Sequence, residues 1–257
     1  MLAKTRKFLS EIAWIAPVWD ALAGAKNSMR SFSQYGEDAV VQGIVNKLEV
    51  VGGFKFDRRV YVEVGACVPI RGSNSFHFSR RGWRGILVEP SPKSILSFKT
   101  WRPRDTLSIC CVGRVEGTAE FYSFGQGAVF NTLSATQAEK VSAHLGIRPQ
   151  KITIPVRTLD SVLAKENLTI RDVGLLFIDV EGAEMEVLRS TDLSEDGPFL
   201  IVVEILSVAL ATIQGHEVTE FLAKNGYVIA SWCAPSVVFL RQDLFQLLQK
   251  DVPGSGK

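Results

Sequence analysis

Four carboxylates stand where apolar segments run out: Glu63 in VYVEV, Glu89 in GILVEP, Asp179 in LLFIDV and Glu204 in LIVVEI. Glu181 and Glu184 follow Asp179 closely, in FIDVEGAE. Burying unpaired carboxylates is costly, so acids that end several apolar segments point to a shared pocket. Acids so placed can bind adjacent hydroxyls, take a proton from a hydroxyl, or hold a hard cation. Glu89 lies about 24 residues beyond Gly65, near the spacing at which an acid takes both hydroxyls of a ribose. A solvated strand end is the competing reading. For Glu181 and Glu184 it is a helix start, where an acid suits the dipole.

For these acids to meet, their segments must lie side by side. Residues 60–64, 85–90, 106–112, 151–156, 172–180 and 198–205 predict strands, and TAEFYSF over 118–124 predicts a smaller one. The run over 172–180 is almost continuously apolar, as buried parallel strands are. Helices are predicted over 33–48, with Val40, Val41, Ile44 and Leu48 inward, and over 93–101. Further helices are predicted after Thr158 as cap, over 183–190, and from His216 to a stop at Gly226. Residues 125–150 predict a loop with a short helix, able to fold over a pocket as a lid. YVIASW and SVVFLR predict an antiparallel pair that closes the chain. The sum is a mostly parallel α/β sheet covered on both faces, and such sheets bind ligands at the carboxyl ends of their strands.

The first turn of that edge, GACVPIRG, narrows the ligand. Gly65 is followed by Cys67 and Pro69 rather than by the GxGxxG that cradles a pyrophosphate. That disfavours NAD and suits a sulfonium cofactor, which carries no phosphate and whose positive charge favours nearby carboxylates. An NAD-dependent oxidoreductase stays as the alternative.

Composition bounds the rest. The chain has 257 residues, 46% of them apolar, and a net charge of +2, which argues against a nucleic-acid binder. Cys67, Cys110, Cys111 and Cys233 form no CxxC pair, so reduced thiols in a cytoplasmic protein fit best. Cys110 and Cys111 are expected on opposite faces of one strand. At the start, Phe8, Ile12, Ile15, Trp19 and Leu22 recur at helical spacing beside Lys4, Arg6 and Lys7. Residues 1–30 therefore predict an amphipathic helical segment, docked on protein or lying at a membrane surface, with one domain over 31–257. The oligomeric state has no sequence signal.

From about Ser33 to Glu204, the combination SQYGEDAVV, YVEVGACVP, SNSF, RGWRGILVEPSP, VRTLDSVL and LLFIDVEGAEMEVLRS resembles the FkbM-type methyltransferases. The resemblance implies a class I enzyme using S-adenosyl-L-methionine, mostly for O-methylation of sugars and other natural products. It implies a Rossmann-like fold: a mostly parallel seven-stranded sheet, helices on both faces and an antiparallel last strand. It sets Glu63, Gly65 and Ala66 on the methionine side, with Asn74 orienting that loop or the cofactor. Glu89, followed by Pro90, takes the ribose, and Cys111 and Val112 lie beside the adenine. Asp179 and Glu181 face the transfer centre. The loop from Cys67 to Gly72 departs from the family pattern, in which glycine is frequent.

Asp179 is then the first candidate to orient or deprotonate an acceptor hydroxyl, with Glu181 and Glu204 in reserve and His77 as another candidate base. His144 falls in the lid segment. Trp83 and Phe130 can stack on a ligand, with core packing favoured for Trp83. A divalent metal on Asp179 and Glu204 is the less favoured alternative, and no metal ligand set is assigned. The expected acceptor is a small molecule, a glycan or a lipid-linked compound. A second alternative is a non-catalytic protein of this fold that binds at a membrane.

Overall fold

The computed structural model describes residues 29–125, 128, 130–194, 196–206 and 209–249. The helix expected at the start of the chain falls on residues 1–28, outside them. Among the described residues, no helix is long and apolar enough to cross a membrane.

Within the unit from Phe32 onward, the first half runs α1 (Glu37–Val50), β1 (Val60–Val64), α2 (Phe76–Ser79), β2 (Arg84–Val88), α3 (Ile95–Trp101) and β3 (Thr106–Ser108). β4 (Cys111–Val112), β5 (Gly117–Ser123), α4 (Ala135–Leu145), β6 (Gln150–Arg157) and α5 (Leu159–Ala164) follow. The chain then forms β7 (Leu175–Ile178), α6 (Glu184–Leu188), β8 (Leu200–Glu204), α7 (Glu217–Lys224), β9 (Tyr227–Cys233), β10 (Ser236–Arg241) and α8 (Gln242–Leu248).

Seven strands make the main sheet, in the order β3-β2-β1-β7-β8-β10-β9. β3, β2, β1, β7 and β8 pair in parallel. The last strand, β10, is antiparallel to both its neighbours, β8 and β9. The sheet is thus the α/β arrangement expected, and its order sets the ends of β2, β1, β7 and β8 side by side.

Alternation along the strands fills both faces. On β7, Leu176 and Ile178 pack with Leu159 and Leu163 of α5 and Leu188 of α6. Leu175 and Phe177 point the other way, to a cluster with Val41, Val45 and Leu48 of α1 and Leu244 of α8. Each such side chain contributes roughly 1.5–3 kcal/mol by leaving water. A sheet covered on both faces holds its strand ends in fixed register.

Three expectations need correction. α1 starts at Glu37, after Gly36 at φ 89, and not at Ser33. Its buried stripe is Val41, Val45 and Leu48, with Val40 and Ile44 only half buried beside it. The strand expected over 106–112 is two strands. β3 ends with β2, where Ser108 O accepts the Glu89 N–H, and β4 then pairs with β6 in a three-stranded sheet of order β4-β6-β5. Cys110 joins the main core and Cys111 the small sheet's core, so the two thiols part across a bend. Helix α8, in QDLFQLL, had no expectation.

Candidate active site

β1 leaves the sheet at Gly65, whose φ is 85. A Cβ there would overlap the Asp179 carbonyl, so glycine serves the approach of two strand ends. The N–H groups of Gly65 and Ala66 both bond to Val88 O, which fixes the turn on β2. Beyond Val88, Glu89 closes the two loops on each other. Its Oε2 accepts the Cys67 N–H at 2.9 Å and its Oε1 the Ser91 N–H at 2.9 Å. Burial pushes its pKa up to about 7 against the pull of those two donors.

Above these ends lies a cavity of about 400 Å³. Gly65, Glu89 and Pro90 line it from β1 and β2, and Asp179, Glu181 and Glu204 from β7 and β8. Cys111, Val112 and Phe121 of the small sheet supply an apolar wall. Phe130, Asn131, Thr132, Leu133 and Gln137 close another side. That segment is tied to the small sheet by reciprocal backbone bonds between Tyr122 and Thr132. Phe130 is exposed at the cavity, and His144 of the same stretch is exposed and outside the lining. Trp83 packs in the core, against Phe56 and Phe78.

Four of the expected site residues do not line it. Glu63 is 4% exposed and turned to the 73–75 loop. It accepts from Asn74 N at 2.8 Å, Ser75 Oγ at 2.7 Å and Ser73 Oγ at 3.1 Å. Arg102 adds its charge beneath, bonding Ser73 Oγ, Ser75 Oγ, Tyr61 and Asp105. Asn74 thus serves the loop through its backbone. Ala66 packs in the core. His77 sits between Gln42 Oε1, 3.1 Å from Nε2, and the Arg81 guanidinium, 3.2 Å from Nδ1. Burial first, then Arg81, lower its pKa, so it is a neutral packed imidazole rather than a base at the cavity.

The acids of β7 and β8 are in the opposite condition. Burial and then Glu204 raise the pKa of Asp179, and burial raises that of Glu204. The two carboxyls face each other and titrate as a pair, both held above the usual carboxylate range. Glu181 stands exposed at the rim with φ 56, and Gly182 follows at φ 101. Loss of water around its carboxylate, then the charges of Asp179 and Glu184, push its pKa up to about 7. Glu184 accepts the Gly182 N–H at 2.8 Å and opens α6, serving its own helix. Burial and the surrounding acids push the Cys67 thiol up to about 12.

Sequence reasoning missed Gln34 and Tyr35, which also line the cavity. Glu37 Oε2 accepts the Tyr35 N–H at 2.9 Å, and Asp38 accepts from Phe32 N and Ser33 Oγ. Two buried acids at the start of α1 thus hold the SQY turn at the cavity. The signal was present in SQYGED, where adjacent acids follow a polar turn.

The sequence model of the methyltransferase FkbM domain matches residues 63–229. No curated protein sequence gives a significant match. A solved structure, the precorrin-6y C5,15-methyltransferase of Geobacter metallireducens GS-15, overlays with a TM-score of 0.35 at 16% identity. The overlay covers 77% of this chain and 85% of that chain, and is too loose to transfer any residue's role.

Proposed function

The chain belongs to the FkbM methyltransferase family, and we propose that it is an S-adenosylmethionine-dependent O-methyltransferase. Its acceptor is a hydroxyl of a glycan, a lipid-linked compound or another small molecule. The observation that carries the proposal is the strand order: β2, β1, β7 and β8 adjoin and turn Glu89, Gly65, Asp179 and Glu204 to one cavity.

The residues present fit the cofactor. Each Glu89 oxygen spends one lone pair on a backbone N–H and keeps another for a ribose hydroxyl. Cys111 and Val112 offer a buried apolar wall for the adenine. The acids of β7 and β8 favour a positive charge beside them. When bound, S-adenosylmethionine supplies a methyl group on a sulfonium.

Asp179 is the residue we assign to the acceptor hydroxyl, which it orients and from which it takes the proton. Positive charge brought beside the Asp179–Glu204 pair lowers both pKa values and frees Asp179 to accept that proton. Glu181 lines the acceptor side at the rim. Tyr35, Phe130, Leu133 and Leu206 are exposed large apolar residues of the lining, set among Gln34, Asn131 and Gln137. Aromatic faces stack on sugar rings while amides take hydroxyls, so this rim supports a glycan-bearing acceptor.

Transfer of radiolabelled methyl groups into glycan and lipid extracts tests the proposal. Label in alkali-stable methyl ethers is the expected result. Label confined to alkali-labile esters, or to nitrogen, would contradict hydroxyl methylation.

A further inference from the structure

Asp179, Glu181 and Glu204 each offer one oxygen, and the three oxygens lie within 4.8 Å of one another. An ion 2.0–2.6 Å from its ligands spans up to about 5 Å between opposite ones, so one hard cation fits among them. A group of acids alone would not argue for that. Glu204 supplies the second observation. It is 9% exposed, it lines the cavity beside Asp179, and no N–H or O–H donor of the described residues reaches its Oε2. Asn74, Ser94, Asp105 and Thr219 also keep a buried polar atom without a partner, but of the five only Glu204 lines the cavity, where a ligand can reach it. Among the described residues, no Lys or Arg pairs with any of the three acids.

We infer that Asp179, Glu181 and Glu204 form a site for one hard divalent cation, magnesium, manganese or calcium, beside the acceptor hydroxyl. The inference rests on the proposed hydroxyl methylation and deepens it. All-oxygen ligands suit these ions over zinc or copper. Cys67, Cys110 and Cys111 line the same cavity, but among the described residues no thiol joins the three-oxygen group. Three protein oxygens leave coordination positions for two adjacent acceptor oxygens, so the acceptor class is a vicinal diol of the kind sugars carry. A cation on a hydroxyl lowers its pKa. The O–H proton passes to the second oxygen of Asp179, and the electron pair stays on the acceptor oxygen beside the ion.

The full chain, stripped with EDTA and dialysed, is titrated with Mn²⁺ while free ion is followed by electron paramagnetic resonance. Binding of S-adenosylhomocysteine is measured on the same samples. One Mn²⁺ per chain is expected, displaced by Mg²⁺ or Ca²⁺ and bound roughly tenfold or more weakly in Glu204→Gln and Glu181→Gln. Glu181 is exposed, so its variant reports on the site even where Glu204→Gln fails to fold. No binding at millimolar Mn²⁺, or binding unchanged in the folded variants, overturns the site. If S-adenosylhomocysteine binds and Mn²⁺ does not, only the ion site falls. If Mn²⁺ binds and is lost in the variants without S-adenosylhomocysteine binding, the ion site stands and the methyl-transfer reading falls.

Discussion

Glu63 on β1 and Glu204 on β8 are both buried acids near the carboxyl ends of parallel strands, 4% and 9% exposed. Their sequence contexts, VYVEV and LIVVE, are nearly the same. Their surroundings are not. Glu63 is met by one backbone N–H and two serine hydroxyls, with the Arg102 guanidinium close by. Glu204 meets Asp179, another acid, and keeps an oxygen without a donor. Glu63, which the chain itself saturates, is scaffold, and Glu204, which it leaves open at the cavity, is available to a ligand. Here the first kind fixes the 73–75 loop, and the second faces the cavity.

The contrast can be broken most severely on the saturated side. Arg102 and Asp105 pair with side chains 0% and 1% exposed. Arg102→Met leaves Asp105 and Glu63 without their cation and is expected to destabilise the fold by about 3–5 kcal/mol. Urea unfolding measures it; a loss under about 1 kcal/mol would make the network peripheral and remove the contrast. On the open side, Asp179→Asn is expected to lower methyl transfer by roughly 10²–10⁴-fold. Its unfolding midpoint should stay level or rise, because a half-buried acid set against another acid, Glu204, is removed. A midpoint that falls as far as that of Arg102→Met would show Asp179 to be scaffold as well.

Glu89 lies between the two extremes, with one donor on each oxygen, and it gives a pH signature. Its pKa of about 7 is raised by burial, so the carboxylate is ionised above that pH and protonated below it. Only the ionised form can accept from both ribose hydroxyls. Affinity for S-adenosylhomocysteine should therefore fall as pH drops through 7 and level off above it. In Glu89→Gln the affinity should be about tenfold lower and flat with pH. The smallest effect is expected at His77, whose ring is spent on Gln42 and Arg81. His77→Gln should leave kcat/KM within about threefold and its pH profile unmoved. Loss of a basic limb from that profile would restore His77 as a base.

Much of this was legible in the sequence where one period governs. The near-continuous apolar run over 172–180 was legible as a buried strand, found over Leu175–Ile178, and Asp179 at its end lines the cavity as expected. The place of Glu89 at the end of its strand was legible in GILVEP, and Thr158 as a cap accepts from Ser161 N as expected. What failed depends on partners far along the chain. Nothing local separates Glu63 from Glu204, since the donors come from residues 73–75 and from Arg102. Nothing in TLSICCV says that its second half pairs with Val156 and Arg157 rather than with β2. Gln34 and Tyr35 were absorbed into a helix because the left-handed Gly36 that ends their turn looks like any glycine.

The central claim is that the edge formed by Glu89, Gly65 and Asp179 binds S-adenosylmethionine. Calorimetric titration of the full chain with S-adenosylhomocysteine, and separately with NAD, tests it most directly. The account predicts one S-adenosylhomocysteine site per chain, lost in Glu89→Ala and kept in Asp179→Asn, with no heat from NAD. Binding of NAD alone, or S-adenosylhomocysteine binding indifferent to Glu89→Ala, would contradict it.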